Sequence, residues 1–195
     1  CAGVSVTFTA IPTNGGGSPT YQWYEGVTPV GSNSPTYTTA ALTNGVVVTC
    51  VLTSNAPCAT GSPATSNALT MTVNPNLPVS VSIFGSNAGN PICTGTSVTF
   101  TATPTNGGGG PTYQWYVGAT PVGTNSPTYT TTTLANGDVV TCVLTSNATC
   151  PTGSPATSNA ITMTVTGSAP AAVTLTPSAA CAGQTITLTA NPTNQ

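Results

Sequence analysis

The 195-residue chain contains no lysine, no arginine and no histidine, and its only acids are Glu25 and Asp138. A chain without a basic side chain cannot neutralise phosphates by charge, so nucleic acid is excluded as an expected partner. The same lack removes electrostatic attraction to anionic lipid. With no histidine, no lysine and no paired carboxylates there is no ordinary general acid–base set, and a Ser or Cys nucleophile has no side-chain base to activate it. Neither catalytic residues nor a cofactor are expected. Asp138, next to Gly137, reads as a turn residue, because calcium needs several oxygen ligands and no acidic cluster is offered. No apolar run reaches the 18 or more residues of a membrane span, and no positively charged, apolar-cored signal segment is present, so membrane insertion is not expected.

What the chain does contain is threonine, serine, glycine, β-branched residues and a few aromatics. Its apolar fraction of 38%, with three Phe, two Trp and six Tyr, is enough for small cores. Low charge with retained aromatics also separates it from a disordered coil. The words Pro-Thr-Tyr-Gln-Trp-Tyr occur twice, at Pro19–Tyr24 and Pro111–Tyr116, and hold both tryptophans. Almost everything around them repeats at the same offset of 92 positions, as from Cys1 to Cys93. Under the two-residue period of a strand, Tyr21 and Trp23 share one face, as do Tyr113 and Trp115. Together with Phe8 and Phe100 they form the expected structural core.

Val6, Phe8 and Ala10 alternate with threonines as a half-buried strand, and Val98, Phe100 and Ala102 repeat it. Asn44-Gly45 marks a turn before a strand over Val46–Leu52 carrying Cys50, with Cys142 its counterpart. The stretch from Ser54 to Ser66 reads as a loop, and Ala68–Val73 as the last strand of the unit. Asn74–Pro78 reads as a short, proline-stiffened boundary. Val79, Val81 and Ile83 alternate with serines as a first strand that the opening unit lacks. The expected modules are 1–75 without its first strand, a complete module over 76–167, and the first two strands of a third over 168–195. A chain organised in this way is expected to be a window of a longer array. The alternative is a polymerising subunit whose missing strand comes from a neighbour.

Val98-x-Phe100-x-Ala102, Trp115 and Asp138-x-Val140-x-Cys142 resemble the second, third and sixth strands of immunoglobulin-like domains. Ala102 stands where the usual second-strand cysteine would be, and Val140 where the tyrosine corner would be, so the standard pin across the core cannot form. The fuller wording, from Cys93 to Ala102 through Tyr-Gln-Trp-Tyr to Ser158–Val165, resembles the immunoglobulin-like or PKD-like repeats of giant Bacteroidota cell-surface adhesins exported by the type IX secretion route. The resemblance implies an all-β chain of tandem immunoglobulin-like β-sandwich modules arranged end to end.

Each repeat carries three cysteines: Cys1, Cys50 and Cys58, then Cys93, Cys142 and Cys150, with Cys181 opening the next. Seven cysteines without clustered histidines or acids read as disulfides rather than a metal site, which points to an extracellular or cell-surface location. The odd number per repeat requires a free thiol in each unit or bonds that cross between units. Under the topology that the resemblance implies, Cys93 and Cys150 lie at opposite ends of a sandwich, roughly 25 Å apart, beyond disulfide reach. A crossing pattern then joins Cys1 to Cys150, with Cys58 pairing backward and Cys93 forward along the array, and Cys50 and Cys142 left as core thiols. An in-unit Cys93–Cys150 bond under different wiring, or local Cys50–Cys58 and Cys142–Cys150 bonds, remain alternatives.

The expected function is a non-catalytic stalk or extracellular filament segment of a repetitive adhesin, its partners being neighbouring repeats of the same polypeptide and like chains in a filament. A spacer or carbohydrate-binding module of a secreted enzyme is the second reading, with Tyr24 and Tyr116 as stacking surfaces for surface glycans. A self-assembling fibre subunit joined by strand complementation is the third.

Overall fold

A computed structural model of the chain describes residues 1–87 and 91–167, together with 171, 173–174 and 191–192. The first repeat folds into seven strands: Val6–Thr9 (β1), Thr20–Glu25 (β2), Thr28–Val30 (β3), Thr36–Thr39 (β4), Val47–Thr53 (β5), Ala64–Thr65 (β6) and Leu69–Thr70 (β7). One sheet is β1 paired with β4. The other runs β3-β2-β5-β6, with β7 also on β5. Phe8, Trp23, Leu42, Val48 and Cys50 fill the space between the two layers.

The second repeat adds Leu77–Pro78 (β8), Ser80–Gly85 (β9), Ile92–Cys93 (β10), Val98–Thr105 (β11), Thr112–Val117 (β12), Thr120–Val122 (β13), Thr128–Thr131 (β14), Val139–Thr145 (β15), Pro151–Thr152 (β16), Ala156–Thr157 (β17), Ile161–Thr162 (β18) and Val165–Thr166 (β19). A three-stranded sheet β14-β11-β9 belongs with a sheet β13-β12-β15-β17, on which β18 also joins β15. β10 pairs in parallel with β19. This is an immunoglobulin-like sandwich, with its first, second and fifth strands in one layer and its third, sixth and last in the other. Val173–Thr174 (β20) and Asn191–Pro192 (β21) form a short antiparallel pair. The remainder of the expected third module, Cys181 included, lies outside the described residues.

Alternation explains why these segments are strands, and register explains which rings meet. Phe100 lies directly opposite Tyr129 across β11 and β14, as Phe8 lies opposite Tyr37 across β1 and β4. The third ring of each core is therefore Tyr37 or Tyr129, 5.9 Å from its tryptophan in both cases. Tyr21 and Tyr113, which period-two reading puts beside the tryptophans, are half-buried to the same degree as Tyr37 and Tyr129, and Tyr21 packs against the first core. Each indole N–H donates to a backbone carbonyl, Trp23 to Ser34 at 3.0 Å and Trp115 to Ser126 at 2.9 Å, so the buried rings leave no donor unpaired.

Four expectations about local structure are corrected. The stretch Ser54–Ser66 is not all loop: Ala64–Thr65 pairs with β5, and the Ser66 hydroxyl accepts from the Cys50 N–H at 3.0 Å. The strand expected over Ala68–Val73 is only Leu69–Thr70. Cys93 does not open the second strand but sits on β10, separated from β11 by a turn in which Gly95 takes φ +84. Nor is Asn74–Pro78 simply a spacer, because Leu77 and Pro78 pair in parallel with Pro151 and Thr152.

By its contacts the described chain divides into two compact units. The first comprises Cys1–Ser80, Thr105–Pro111 and Thr145–Pro155; the second comprises Val81–Pro104, Thr112–Leu144 and the described residues from Ala156 onward.

Candidate functional site

The feature that stands out chemically is a disulfide, Cys1–Cys150, with a Cα separation of 5.4 Å and 149 positions between its ends in sequence. Both ends lie in the first compact unit. Cys1 precedes a turn in which Gly3 takes φ +80 and the Val4 N–H donates to the Cys1 carbonyl at 3.3 Å; next to it the Ala2 N–H donates to Asn74 at 2.9 Å. Cys150 sits at φ +62 in the loop between β15 and β16. That loop is built by serines: the Ser146 hydroxyl donates to the Asn106 carbonyl at 2.7 Å, and the Ser154 hydroxyl accepts from the Ser146 N–H at 2.9 Å. The connection between repeats is fastened to the same place, with the Leu77 N–H donating to the Cys150 carbonyl at 2.9 Å and the Asn106 amide to the Pro78 carbonyl at 2.6 Å.

Of the other described cysteines, Cys58 and Cys93 are exposed free thiols and Cys50 and Cys142 are buried free thiols. Neither the in-unit Cys93–Cys150 bond nor a local Cys50–Cys58 or Cys142–Cys150 bond is present among them. The repeat makes Cys58 the counterpart of Cys150, and its loop has the same construction. Cys58 takes φ +59, the Ser54 hydroxyl donates to the Asn14 carbonyl at 2.7 Å, and the Ser62 hydroxyl accepts from the Ser54 N–H at 2.9 Å. Cys93 copies Cys1 in the same way: Gly95 matches Gly3, the Thr96 N–H donates to the Cys93 carbonyl at 3.1 Å, and the Thr94 N–H to Thr166 at 2.9 Å. Each repeat thus presents two differently shaped thiol positions, and one of each kind is joined.

Burial pushes the Cys142 thiol up to about 11, against a smaller opposite pull from the Gln114 backbone; burial also raises Cys50. An unfolded thiol ionises near pH 9, so between there and about 11 the folded state holds a proton that the unfolded state has lost. The stabilisation is complete below about pH 9 and declines as pH rises toward 11, by roughly 2–3 kcal/mol in all. Urea midpoints taken at pH 8 and pH 10.5 are expected to drop more steeply for the wild-type chain than for Cys142→Ala. Equal slopes would show that this thiol is not protected from ionisation.

The two acids have local partners. The Asp138 carboxylate accepts from the Ala135 N–H at 2.8 Å within a turn whose Gly137 takes φ +88, and Glu25 accepts from the Tyr37 hydroxyl at 2.7 Å. No group of three or more potential metal-ligating side chains occurs among the described residues. Tyr24 and Tyr116, the suggested glycan-stacking surfaces, are half-buried, with Tyr24 paired opposite Pro29 and Thr49. Among the described residues no helix is long and apolar enough to cross a membrane.

No family model matches the chain, and no curated protein does. Solved structures it resembles include the Ig1–Ig3 ectodomain of mouse nectin-like molecule 4 at 15% identity, covering 84% of this chain and 64% of that one, with a TM-score of 0.34. Others are fibronectin(III)-like modules of Clostridium thermocellum CbhA (14%, 85% and 87%, TM-score 0.38) and three N-terminal domains of the Hoc outer capsid protein of bacteriophage RB49 (15%, 89% and 56%, TM-score 0.34). The chain spans from about two-fifths to just under two-thirds of the first structures it matches. With overall scores this low, the immunoglobulin-like fold rests on the strand order and the buried core of the chain itself.

Proposed function

We propose that this chain is a segment of a stalk or filament in a repetitive extracellular adhesin, in which successive repeats are stapled to one another by disulfides. The modules are those of the repeat, 1–75, 76–167 and 168–195, and the work of the segment is mechanical: to hold something else at a distance. The observation that carries the reading is Cys1–Cys150, a bond from the start of one repeat to the loop of the next. The matching construction around Cys58 and Cys93 supports extending the pattern. Cys58 has the backbone conformation of the bonded Cys150, and Cys93 sits in the turn of the bonded Cys1. Beside Cys58 a cavity of about 370 Å³, lined by Asn14, Ser54 and Gly61 among others, gives an approaching chain a place to run.

In such an array Cys58 bonds backward and Cys93 forward, while Cys50 and Cys142 remain core thiols. The location is the cell surface or the extracellular space, where such bonds persist. Neighbouring repeats of the same polypeptide are the principal partners, with like chains in a filament second.

The test is non-reducing peptide mapping of the native assembly, with free thiols alkylated first. Trypsin cannot be used on a chain without lysine or arginine, so an acid protease serves. Peptides holding Cys58 and Cys93 are expected as disulfide pairs with Cys1-type and Cys150-type peptides respectively. Recovery of both as alkylated thiols from the intact assembly would overturn the stapled stalk.

A further inference from the structure

A second sulfur lies eight positions from the staple and takes no part in it. Cys142 has no exposed surface and is a free thiol, while Cys150 carries the bond to Cys1. In the folded chain the two sulfurs do not react. Cys142 is enclosed in the core, and burial keeps it protonated at neutral pH, so the thiolate that attacks a disulfide is absent.

What encloses Cys142 on one side is the stretch of chain that follows the staple. β15 pairs with β17 through Val143 and Leu144, and with β18 through Val139 and Val140. Between those two pairings Ser158 holds Cys142 in both directions. Its hydroxyl accepts from the Cys142 N–H at 2.9 Å, and its own N–H donates to the Cys142 carbonyl at 2.9 Å. β17 and β18 are each only two residues long, so this edge of β15 opens at lower cost than the core strands do. The first repeat is built alike. The Ser66 hydroxyl accepts from the N–H of buried Cys50 at 3.0 Å, the Ser66 N–H donates to the Cys50 carbonyl at 2.9 Å, and Cys58 follows eight positions on.

We propose that Cys142 is a latent nucleophile that opens the staple: when β17, Ser158 and β18 come away from β15, its sulfur attacks Cys150 and frees Cys1. This opening regulates the staple of the stalk and rests on that reading for its use, whereas its chemistry needs only the Cys1–Cys150 bond. The Cys142 thiol gives its proton to solvent and its sulfur bonds to that of Cys150. The bond from Cys150 to Cys1 breaks, and Cys1 leaves as a thiolate that takes a proton back. One disulfide and one thiol stand on each side of the exchange, so no oxidant or reductant is consumed. Attack falls on Cys150 rather than Cys1 because closing a loop of eight positions is favoured over closing one of 141 by about seventyfold.

The experiment holds the oxidised chain at pH 8 without reductant across a urea series, quenches it in acidic N-ethylmaleimide and maps the sulfurs after digestion with an acid protease. Within the unfolding transition, Cys142–Cys150 is expected to become the leading new pair, with Cys1 recovered alkylated. Cys142→Ala should release Cys1 at least about threefold more slowly, the remainder being attack by sulfurs farther along the chain. Without urea, Ser158→Ala should exchange about fivefold faster than the wild type, the effect of losing one hydrogen bond to a buried N–H, while Ser66→Ala should stay within about twofold. Survival of Cys1–Cys150 through complete unfolding, or a leading new pair other than Cys142–Cys150, would overturn the proposal. Equal rates for the two serine variants would do the same. Free Cys58 and Cys93 in the native assembly would overturn the stapled stalk instead and leave these outcomes unchanged.

Discussion

Replacing Cys150 by serine is expected to lower the stability of the chain by about 3–5 kcal/mol, a loss that among the cysteines only Cys1→Ser should match. The estimate follows from the size of the loop. Cys1 and Cys150 are 149 positions apart, and a cross-link over so long a stretch removes a large share of the conformations open to the unfolded chain. For a chain of this length the corresponding fall in melting temperature is about 6–20 °C. The bond also fixes the Cys150 loop, to which Leu77 is fastened, so loosening should appear first as faster amide exchange at Leu77 and Val79. Cys58→Ser, at an exposed and unbonded counterpart, is the control and should change the melt by less than about 2 °C, as surface substitutions usually do. If Cys150→Ser melts with the control, the cross-link contributes little to the folded chain.

Trp115→Ala is expected to cost about 3–5 kcal/mol, and Trp23→Ala less. Trp115 has no exposed surface, packs 6.3 Å from Phe100 and 5.9 Å from Tyr129 between ring centroids, and donates its N–H to Ser126. Removing it leaves a cavity that Val140, Cys142 and Leu144, all fully buried, cannot collapse to fill. Trp23 has the same neighbours in kind, but it lines a cavity of about 590 Å³ together with Phe8, Cys50 and Leu52, where solvent and side chains can move into the vacated space. The difference between the two variants, read from urea midpoints, should exceed about 1 kcal/mol, above the usual error of such measurements. Equal losses would show that the first repeat is packed as tightly as the second.

How far these features could be read in the sequence depends on whether they are written along the chain or across it. Alternation in Val98–Ala102 and the doubled Tyr-Gln-Trp-Tyr are one-dimensional signals, and they located the central strands and both tryptophans. The 92-position offset did the same for repetition. Partners across a sheet leave no such mark. Tyr37 and Tyr129 complete the aromatic clusters because register sets them opposite Phe8 and Phe100, whereas period alone favoured Tyr21 and Tyr113. Ala64–Thr65 is too short and too ordinary in composition to announce a strand, and it exists because β5 offers it an edge. The prolines of Asn74–Pro78 suggested a stiff spacer; that Leu77–Pro78 would pair with Pro151–Thr152 depends on a loop more than 70 residues away. For the candidate site, three cysteines per repeat show that a bond crosses between repeats or a thiol stays free, whereas the choice of Cys1 and Cys150 depends on how the Cys150 loop folds against the start of the chain, which spacing does not record.

The cross-link also alters what a pull on the chain would meet. Tension that enters at Cys1 and leaves beyond Cys150 passes through sulfur from one to the other, bypassing the 149 positions between them. With the bond closed that stretch adds nothing to the length of a pulled chain, against about 520 Å once it is reduced, at some 3.5 Å per residue. The strands between the two cysteines, which carry both tryptophans, lie outside the line of force. A reductant would therefore act as a release catch, paying out hidden length without breaking a single peptide bond.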